Sequence, residues 1–308
     1  MTALPQTAPF DLAAPWGGSS QIVDLDGPVH WVDFGGPTGA PPLVLVHGLG
    51  GSHLNWVQVA SQLAEGRRVT AIDLAGFGLT PGSPRDTSVG ANAELVGRFV
   101  REVIGEPAVL VGNSMGGLVS LLVTSRSPDL VAGLILVDPA LPSANGRLDP
   151  FVALQFGAYA TPGVGELFYD RFKSKYTPEQ RVRGMVDLCF ADPKRADPAG
   201  FGAGARLTRY LDTQDGVTAS FLRAARSLMR VVGKPKTYAH SIHAIDKPVL
   251  LIHGDRDRLV PIAAARKAAA DNPSWETAWL DGVGHTPQLE DPVRFLAAVR
   301  PWLNRLPA

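Results

Sequence analysis

Ser114 stands in the string "AVLVGNSMGGLVS" (residues 108–120), where one apolar run stops at a glycine and another begins just beyond. Gly112-Asn113-Ser114-Met115-Gly116 fits G-x-S-x-G, and the chemistry this suits is nucleophilic attack. A serine alcohol attacks poorly unless a base takes its proton while its oxygen stands clear of neighbours. A sharp turn from strand to helix lifts the side chain out and aims the helix N-terminus at an oxyanion forming in front of it. Such a turn strains the serine backbone and crowds its flanks, so positions 112 and 116 must be nearly free of side chain. Gly117 would ease packing of the helix on the sheet. The competing reading is a glycine-rich turn holding an incidental serine. A buried run before Ser114 and a helical pattern after it favour the nucleophile.

The elements that must position this serine are legible around it. "SQIVDL" and "PVHWVDF" read as two strands about the turn-forming Asp26-Gly27, a hairpin. Short apolar runs follow at 42–46, 68–73, 108–112, 133–138 and 248–254. Rich in Val, Leu and Ile and lacking alternation, they read as parallel strands buried on both faces. Helical patterns lie between and after them at 55–66, 91–105, 115–128, 261–272 and 291–303, with one more strand-like run at 275–280. The expected fold is α/β: a mostly parallel doubly wound sheet with an N-terminal antiparallel hairpin. Between Asp138 and residue 248 no strand is convincing, and Thr177-Pro178-Glu179-Gln180 reads as a capped helix start. The expected organisation is a loosely ordered leader at 1–19, a core at 20–140 and 241–308, and a helical cap inserted at 141–240.

Composition sets the outer bounds. The chain has 308 residues, 45% hydrophobic, with a formal net charge of zero. Nothing in that balance points to nucleic acid. Residues 141–240 nevertheless hold 15 Lys+Arg against 9 Asp+Glu, all five tyrosines and seven of the twelve phenylalanines. The single cysteine, Cys189, has no partner for an internal disulfide and reads as a small buried hydrophobe. Prolines 5, 9 and 15 break the N-terminal stretch, which argues against a secretory signal. No apolar run is long enough to cross a bilayer. A cytoplasmic protein, monomer or homodimer, is expected.

With these motifs in hand, the chain resembles the α/β-hydrolase superfamily from about residue 20 to the end, the insertion matching weakly. The resemblance implies the chain order nucleophile, acid, histidine. "VLLIHGDRDRLVP" is similar to the family's acid loop and "LDGVGHTPQLEDP" to its histidine loop. His285 is then the general base, Gly284 letting its loop curl back toward Ser114. The acid is Asp257, three residues after the glycine, with Asp255 hydrogen-bonding within its own turn. Asp138 remains a rival, because some members take the acid from the preceding strand. The oxyanion hole implied is the backbone N–H of Met115 and that of Leu49 in His47-Gly48-Leu49-Gly50-Gly51. His47 would buttress that loop, Asp73 in "DLAGFGLT" would organise the next one, and Trp56 would anchor core.

Other chemistries find little support. No P-loop occurs and no G-x-G-x-x-G follows a strand, so no cofactor is expected. His240 and His243 share a helix face without an acidic partner, so no metal is expected. Arg223, Arg226 and Arg230 read as a solvated helix face, an anionic-substrate patch being the alternative. Dehalogenases and epoxide hydrolases of this family use Asp at the nucleophile position, so Ser114 implies attack on a carbonyl and an acyl-enzyme. The expected substrate is a small-molecule apolar ester, of medium-chain acyl or aryl type, with cap aromatics walling its pocket. "GNSMGG" is also similar to carbon–carbon bond hydrolases of ring-cleavage products. Those carry Trp after the histidine and "HGxGPG" in the oxyanion loop, whereas this chain has Thr286 and "HGLGG". The third reading is a ligand-binding receptor on the same fold.

Overall fold

Alternate residues of each short apolar run face opposite sides of one sheet, and both sides are covered. On one face Val44, Val46, Ile72, Leu110, Leu134, Leu136 and Leu251 pack with Phe99, Leu118 and Ala265. On the other, Leu43, Leu45, Ala71, Val109, Val111, Ile135 and Ile252 pack with Trp56, Phe295 and Trp302. Burial on both faces is why these runs lack alternation. Trp56 is fully buried, as a core anchor should be.

The computed structural model describes residues 9–142, 149–234, 242 and 245–306. The strands are β1 (Ser19–Asp24), β2 (Pro28–Asp33), β3 (Leu43–Val46), β4 (Val69–Ile72), β5 (Ala108–Asn113), β6 (Val131–Val137), β7 (Val249–Gly254) and β8 (Glu276–Leu280). Their order is β1-β2-β4-β3-β5-β6-β7-β8. The β1–β2 and β2–β4 pairs are antiparallel and the rest parallel. Asp26 and Gly27 turn the hairpin at positive φ, 61° and 117°. Helices α1 (Ala60–Ala64), α2 (Val89–Phe99) and α3 (Met115–Arg126) alternate with the early strands. The expected helix at 55–66 is shorter: a 3-10 turn, His53–Trp56, precedes α1. Gly51 explains the start, because a Cβ there would lie 2.6 Å from the Asn55 amide oxygen that caps the turn.

Between β6 and β7 lie α4 (Pro150–Ala160), α5 (Val164–Lys175), α6 (Pro178–Cys189), α7 (Pro198–Leu211) and α8 (Val217–Val232), with no strand among the described residues. Thr177 and Gln180 cap α6 reciprocally, at 2.9 and 3.3 Å. Arg226 departs from the solvated-face expectation. Its guanidinium holds both oxygens of Glu166 at 2.9 Å and the Tyr159 carbonyl at 2.9 Å, bracing α8 against α4 and α5. After β7 come α9 (Ile262–Asp271), α10 (Pro287–Glu290) and α11 (Pro292–Leu303).

The joint where α3 meets the sheet is closely packed. A Cβ on Gly116 would lie 2.2 Å from the Val46 carbonyl oxygen, and one on Gly112 would lie 2.4 Å from that of Gly116. Both clashes are with backbone, which cannot swing aside. Gly116→Ala should cost about 3 kcal/mol of stability, read by urea unfolding. A cost below about 0.5 kcal/mol would mean that the joint can open.

Candidate active site

β5 ends at Asn113 and α3 begins at Met115; Ser114 alone makes the turn, at φ 55° and ψ −118°. A residue with a Cβ adopts such angles only when its surroundings enforce them. Here the Ser114 N–H donates to Val137 O at 3.0 Å, and Ser114 O accepts from the N–H of Gly117 and of Ala140, each at 3.0 Å. The backbone is thus held from β6 as well as from its own helix. The Ser114 hydroxyl itself makes no hydrogen bond among the described residues, and the residue is partly exposed.

Asp257 and His285 come together from loops after β7 and β8. His285 Nδ1 lies 2.7 Å from Asp257 Oδ2, which leaves Nε2 as the nitrogen free to take a proton. The carboxylate is fixed from behind, Oδ1 accepting the N–H of Leu259 at 2.7 Å and of Val260 at 3.0 Å. Burial pushes the Asp257 pKa up, but the adjacent imidazoles of His285 and His253 outweigh it and hold the group below the ordinary carboxylate value. Asn113 Nδ2 donates to the His285 carbonyl at 3.0 Å, tying the histidine loop to the residue just before Ser114. No hydrogen bond joins Ser114 Oγ to the imidazole among the described residues. Without substrate such contacts are commonly long, tightening in the complex.

Asp255 lies elsewhere than expected. It accepts the Gly282 N–H at 2.6 Å, bridging to the histidine loop rather than closing its own turn, because β7 and β8 are neighbours and end side by side. Gly284 also differs in its reason. Its φ is not positive; a Cβ there would lie 2.2 Å from the Cys189 carbonyl oxygen, so close approach rather than curling demands glycine. Cys189 is buried, as expected. Asp138 sits at φ 43° with Oδ1 on the Gly254 N–H at 2.9 Å and Oδ2 without a donor. Burial, then the charge of Asp257, raise its pKa well above the ordinary carboxylate value, so of the two buried carboxyls it is the one that holds a proton more readily.

Two backbone amides close to Ser114 in the chain or in space lack an acceptor among the described residues, Met115 following Ser114 and Leu49 following Gly48, where a Cβ would lie 3.0 Å from Ser114 Cβ. Met115 N–H opens α3 and has no intrahelical acceptor; Leu49 N–H has no acceptor among the described residues. His47 supports the Leu49 loop: its Nε2 accepts the Leu74 N–H at 3.0 Å and its Nδ1 lies 2.8 Å from Gly48 O. Asp73, fully buried, accepts the N–H of His53 at 2.6 Å and of Leu79 at 2.8 Å. It also contacts His30 Nδ1 at 2.8 Å and His53 Nδ1 at 3.0 Å. Sequence reasoning missed these two imidazoles. His30 sits on the antiparallel β2, which only the sheet order brings beside Asp73, and no local spacing signals it.

His30, His53 and Asp73 form one group of metal-ligand type, and Asp138, Asp257 and His285 another. Asp73 hydrogen-bonds both imidazoles of the first set and Asp257 that of the second, while His53 Nε2 and Asp138 Oδ2 have no partner among the described residues. His240 and His243 lie outside the described residues.

Aromatic side chains of the helical segment gather over the Leu49 loop. The Phe221 ring lies 3.4 Å from where a Gly50 Cβ would be. It meets Tyr159 edge to face and Tyr169 at a tilt, at centroid distances of 5.2 and 5.0 Å, and Leu49 packs on the same cluster. Among the described residues no helix is long and apolar enough to cross a membrane.

Comparison with known proteins gives three kinds of likeness. A family model described as the alpha/beta hydrolase fold matches residues 41–292. The dihydrolipoyllysine-residue acetyltransferase component of the acetoin cleaving system of Pseudomonas putida is 28% identical over 281 residues. That match covers 89% of this chain and 66% of the relative, so the chain spans just under two thirds of that protein's length. The pimeloyl-[acyl-carrier protein] methyl ester esterase of Aromatoleum aromaticum is 29% identical, covering 82% of this chain and 94% of that one. A variant of the haloalkane dehalogenase DatA of Agrobacterium tumefaciens superposes with a TM-score of 0.78 at 20% identity, covering 96% and 100% of the two chains. At that identity the likeness is one of fold.

Proposed function

The chain belongs to the α/β-hydrolase family, and from that premise we propose that it is a serine hydrolase cleaving carboxylic esters of apolar acyl or aryl type. A hydrolase is what the family and its esterase relative support; the ester and the mechanism are the reading offered here. One observation carries it: a non-glycine residue with a free hydroxyl holds φ 55° at the junction of β5 and α3. Strain of that kind costs about 1–3 kcal/mol and persists where function uses it.

Ser114 Oγ attacks the ester carbonyl while His285 Nε2 takes its proton. The tetrahedral oxyanion receives the N–H groups of Leu49 and Met115. Collapse expels the alcohol, which takes the proton back from the imidazolium, leaving an acyl group on Ser114. Water, deprotonated by the same nitrogen, then attacks the acyl-enzyme and the acid leaves. Asp257 holds Nδ1–H and stabilises the imidazolium without accepting the proton. The helical segment at 150–232 acts as a cap, and Leu49, Tyr159, Tyr169 and Phe221 wall the substrate side of the site. That wall is aromatic and aliphatic, which suits an apolar acyl or aryl group and keeps water from the carbonyl until the acyl-enzyme forms.

The test is turnover of p-nitrophenyl butyrate and benzoate, with fluorophosphonate labelling of Ser114. Labelled protein that turns over both esters is the expected result. Label without turnover, with cleavage of a ring-opened dienoate instead, replaces the ester by a carbon–carbon bond. Folded protein that takes no label is a binder.

A further inference from the structure

We propose that Glu290 is a positioning residue, a buried joint that binds the helical cap to the histidine loop and so adds a cap-dependent hold on the base to the core contacts made by Asn113 and Asp257. The inference rests on the reading of His285 as general base. Glu290 closes α10, five residues beyond His285, and its side chain is fully buried. Oε2 accepts the Gly284 N–H at 2.7 Å and the Ala191 N–H at 3.0 Å; Oε1 accepts the Asp192 N–H at 2.9 Å. Arg195 Nη1 reaches Oε1 at 3.5 Å. One carboxylate therefore gathers donors from two stretches almost a hundred residues apart in sequence.

The two stretches also meet directly. The N–H of His285 donates to the Cys189 carbonyl at 2.6 Å, and Gly284 packs so closely that a Cβ would lie 2.8 Å from Ala191 N. Arg195 Nη1 adds a second tie, to the Gly282 carbonyl at 3.1 Å; none of these groups lies in a sheet ladder, so the exit from α6 and the entry to His285 meet only through such loop contacts. A carboxylate buried without such donors would be strongly destabilising, which makes the joint all-or-none. Displacing the cap at 189–192 removes the His285 N–H acceptor and two of the three amides on Glu290, leaving the base held by Asn113 and Asp257 alone and its backbone free to shift on the N-terminal side. On the other flank, α8 is held by Thr87 Oγ1 on the Ser220 carbonyl at 2.9 Å and by Ser227 Oγ on the Val89 N–H at 3.1 Å. A further tie runs from the acid loop, where Arg258 Nε holds Asp149 Oδ2 at 3.0 Å, and of these three only the Glu290 joint touches the base.

Glu290→Gln tests this. Glutamine offers one oxygen and an NH2 that faces N–H donors, so at least one amide loses its partner. With folding verified by thermal melting, kcat on p-nitrophenyl butyrate should fall by about 10²-fold with KM changed less than about threefold. Fluorophosphonate labelling should slow by the same factor, and exchange of the Ala191, Asp192 and Gly284 amides should quicken together. A folded variant labelled at the wild-type rate overturns the proposal, as does faster exchange confined to Ala191 and Asp192. In wild-type protein the three amides should be protected alike, and exchange differing by more than about tenfold overturns the joint even if the variant does not fold. Wild-type protein that takes no label defeats the serine-hydrolase reading instead, while the exchange measurement still judges the joint.

Discussion

Ser114→Ala should abolish ester turnover, lowering kcat by about 10⁶-fold, while leaving the protein as stable as before. The loss is that large because the hydroxyl supplies the only nucleophile in the reading above, and water attacking unaided inherits just the oxyanion amides and the pocket. What remains should be about 10³–10⁴-fold over the uncatalysed reaction, from those amides and from binding. Stability is untouched for a separate reason: the hydroxyl makes no hydrogen bond among the described residues, so nothing in the fold misses it. Ser114→Gly sharpens the point. At φ 55° a glycine relieves strain that any side chain must bear, so the glycine variant should unfold at higher urea than wild type, by about 1 kcal/mol, and be as inactive as the alanine variant. Steady-state kinetics and urea titration on the three proteins check both halves. Retained activity in the alanine variant moves the nucleophile elsewhere; a glycine variant no more stable than the alanine one means the turn is not strained.

Ser114 was legible in sequence because its requirements are local. A buried run, a glycine, a serine and another glycine fall within nine residues, and each is needed by the same turn. The parallel strands were legible for a like reason, since burial on both faces removes alternation from the run itself. The short start of the helix at 55–66 was not, because Ser52 and Asn55 cap a 3-10 turn whose pattern of apolar residues imitates a longer helix. Nor were the partners that only the sheet order creates. His30 reaches Asp73 across forty-three positions, and Glu290 reaches Ala191 across ninety-nine. Arg226 read as a solvated charge because a helical spacing of three and four says nothing about the carboxylate facing it from another helix. The acid position is an intermediate case. Spacing left Asp138, Asp255 and Asp257 as candidates, and the orientation of three carboxylates around two strand ends is a property of the fold alone.

Those carboxylates give the second large effect. Asp257→Asn should lower kcat by about 10⁴-fold, and Asp138→Asn by less than about tenfold. In the first variant the amide oxygen would keep the N–H groups of Leu259 and Val260, leaving Nδ2 to face His285. An N–H pointing at Nδ1 forces the tautomer with its proton on Nε2, which cannot then accept one from Ser114. In the second, asparagine matches what Asp138 already is. Its Oδ1 accepts the Gly254 N–H and burial beside Asp257 favours its uncharged form; asparagine offers the same acceptor and is likewise uncharged. Stability against pH separates the two groups further. Asp138 keeps its proton in the fold where the unfolded chain has lost it, so wild-type stability falls as pH rises above about 4 through the raised folded value. Asp138→Asn removes that slope and should gain on wild type as pH rises, read by urea unfolding at pH 5 and 8. Asp257, held low, contributes in the opposite sense: its stabilisation is present above about pH 4 and is lost as pH falls through its folded value. If the two asparagine variants lose activity equally, the proton is shared evenly and the acid is the pair; if Asp138→Asn alone is inactive, the strand before the cap supplies the acid.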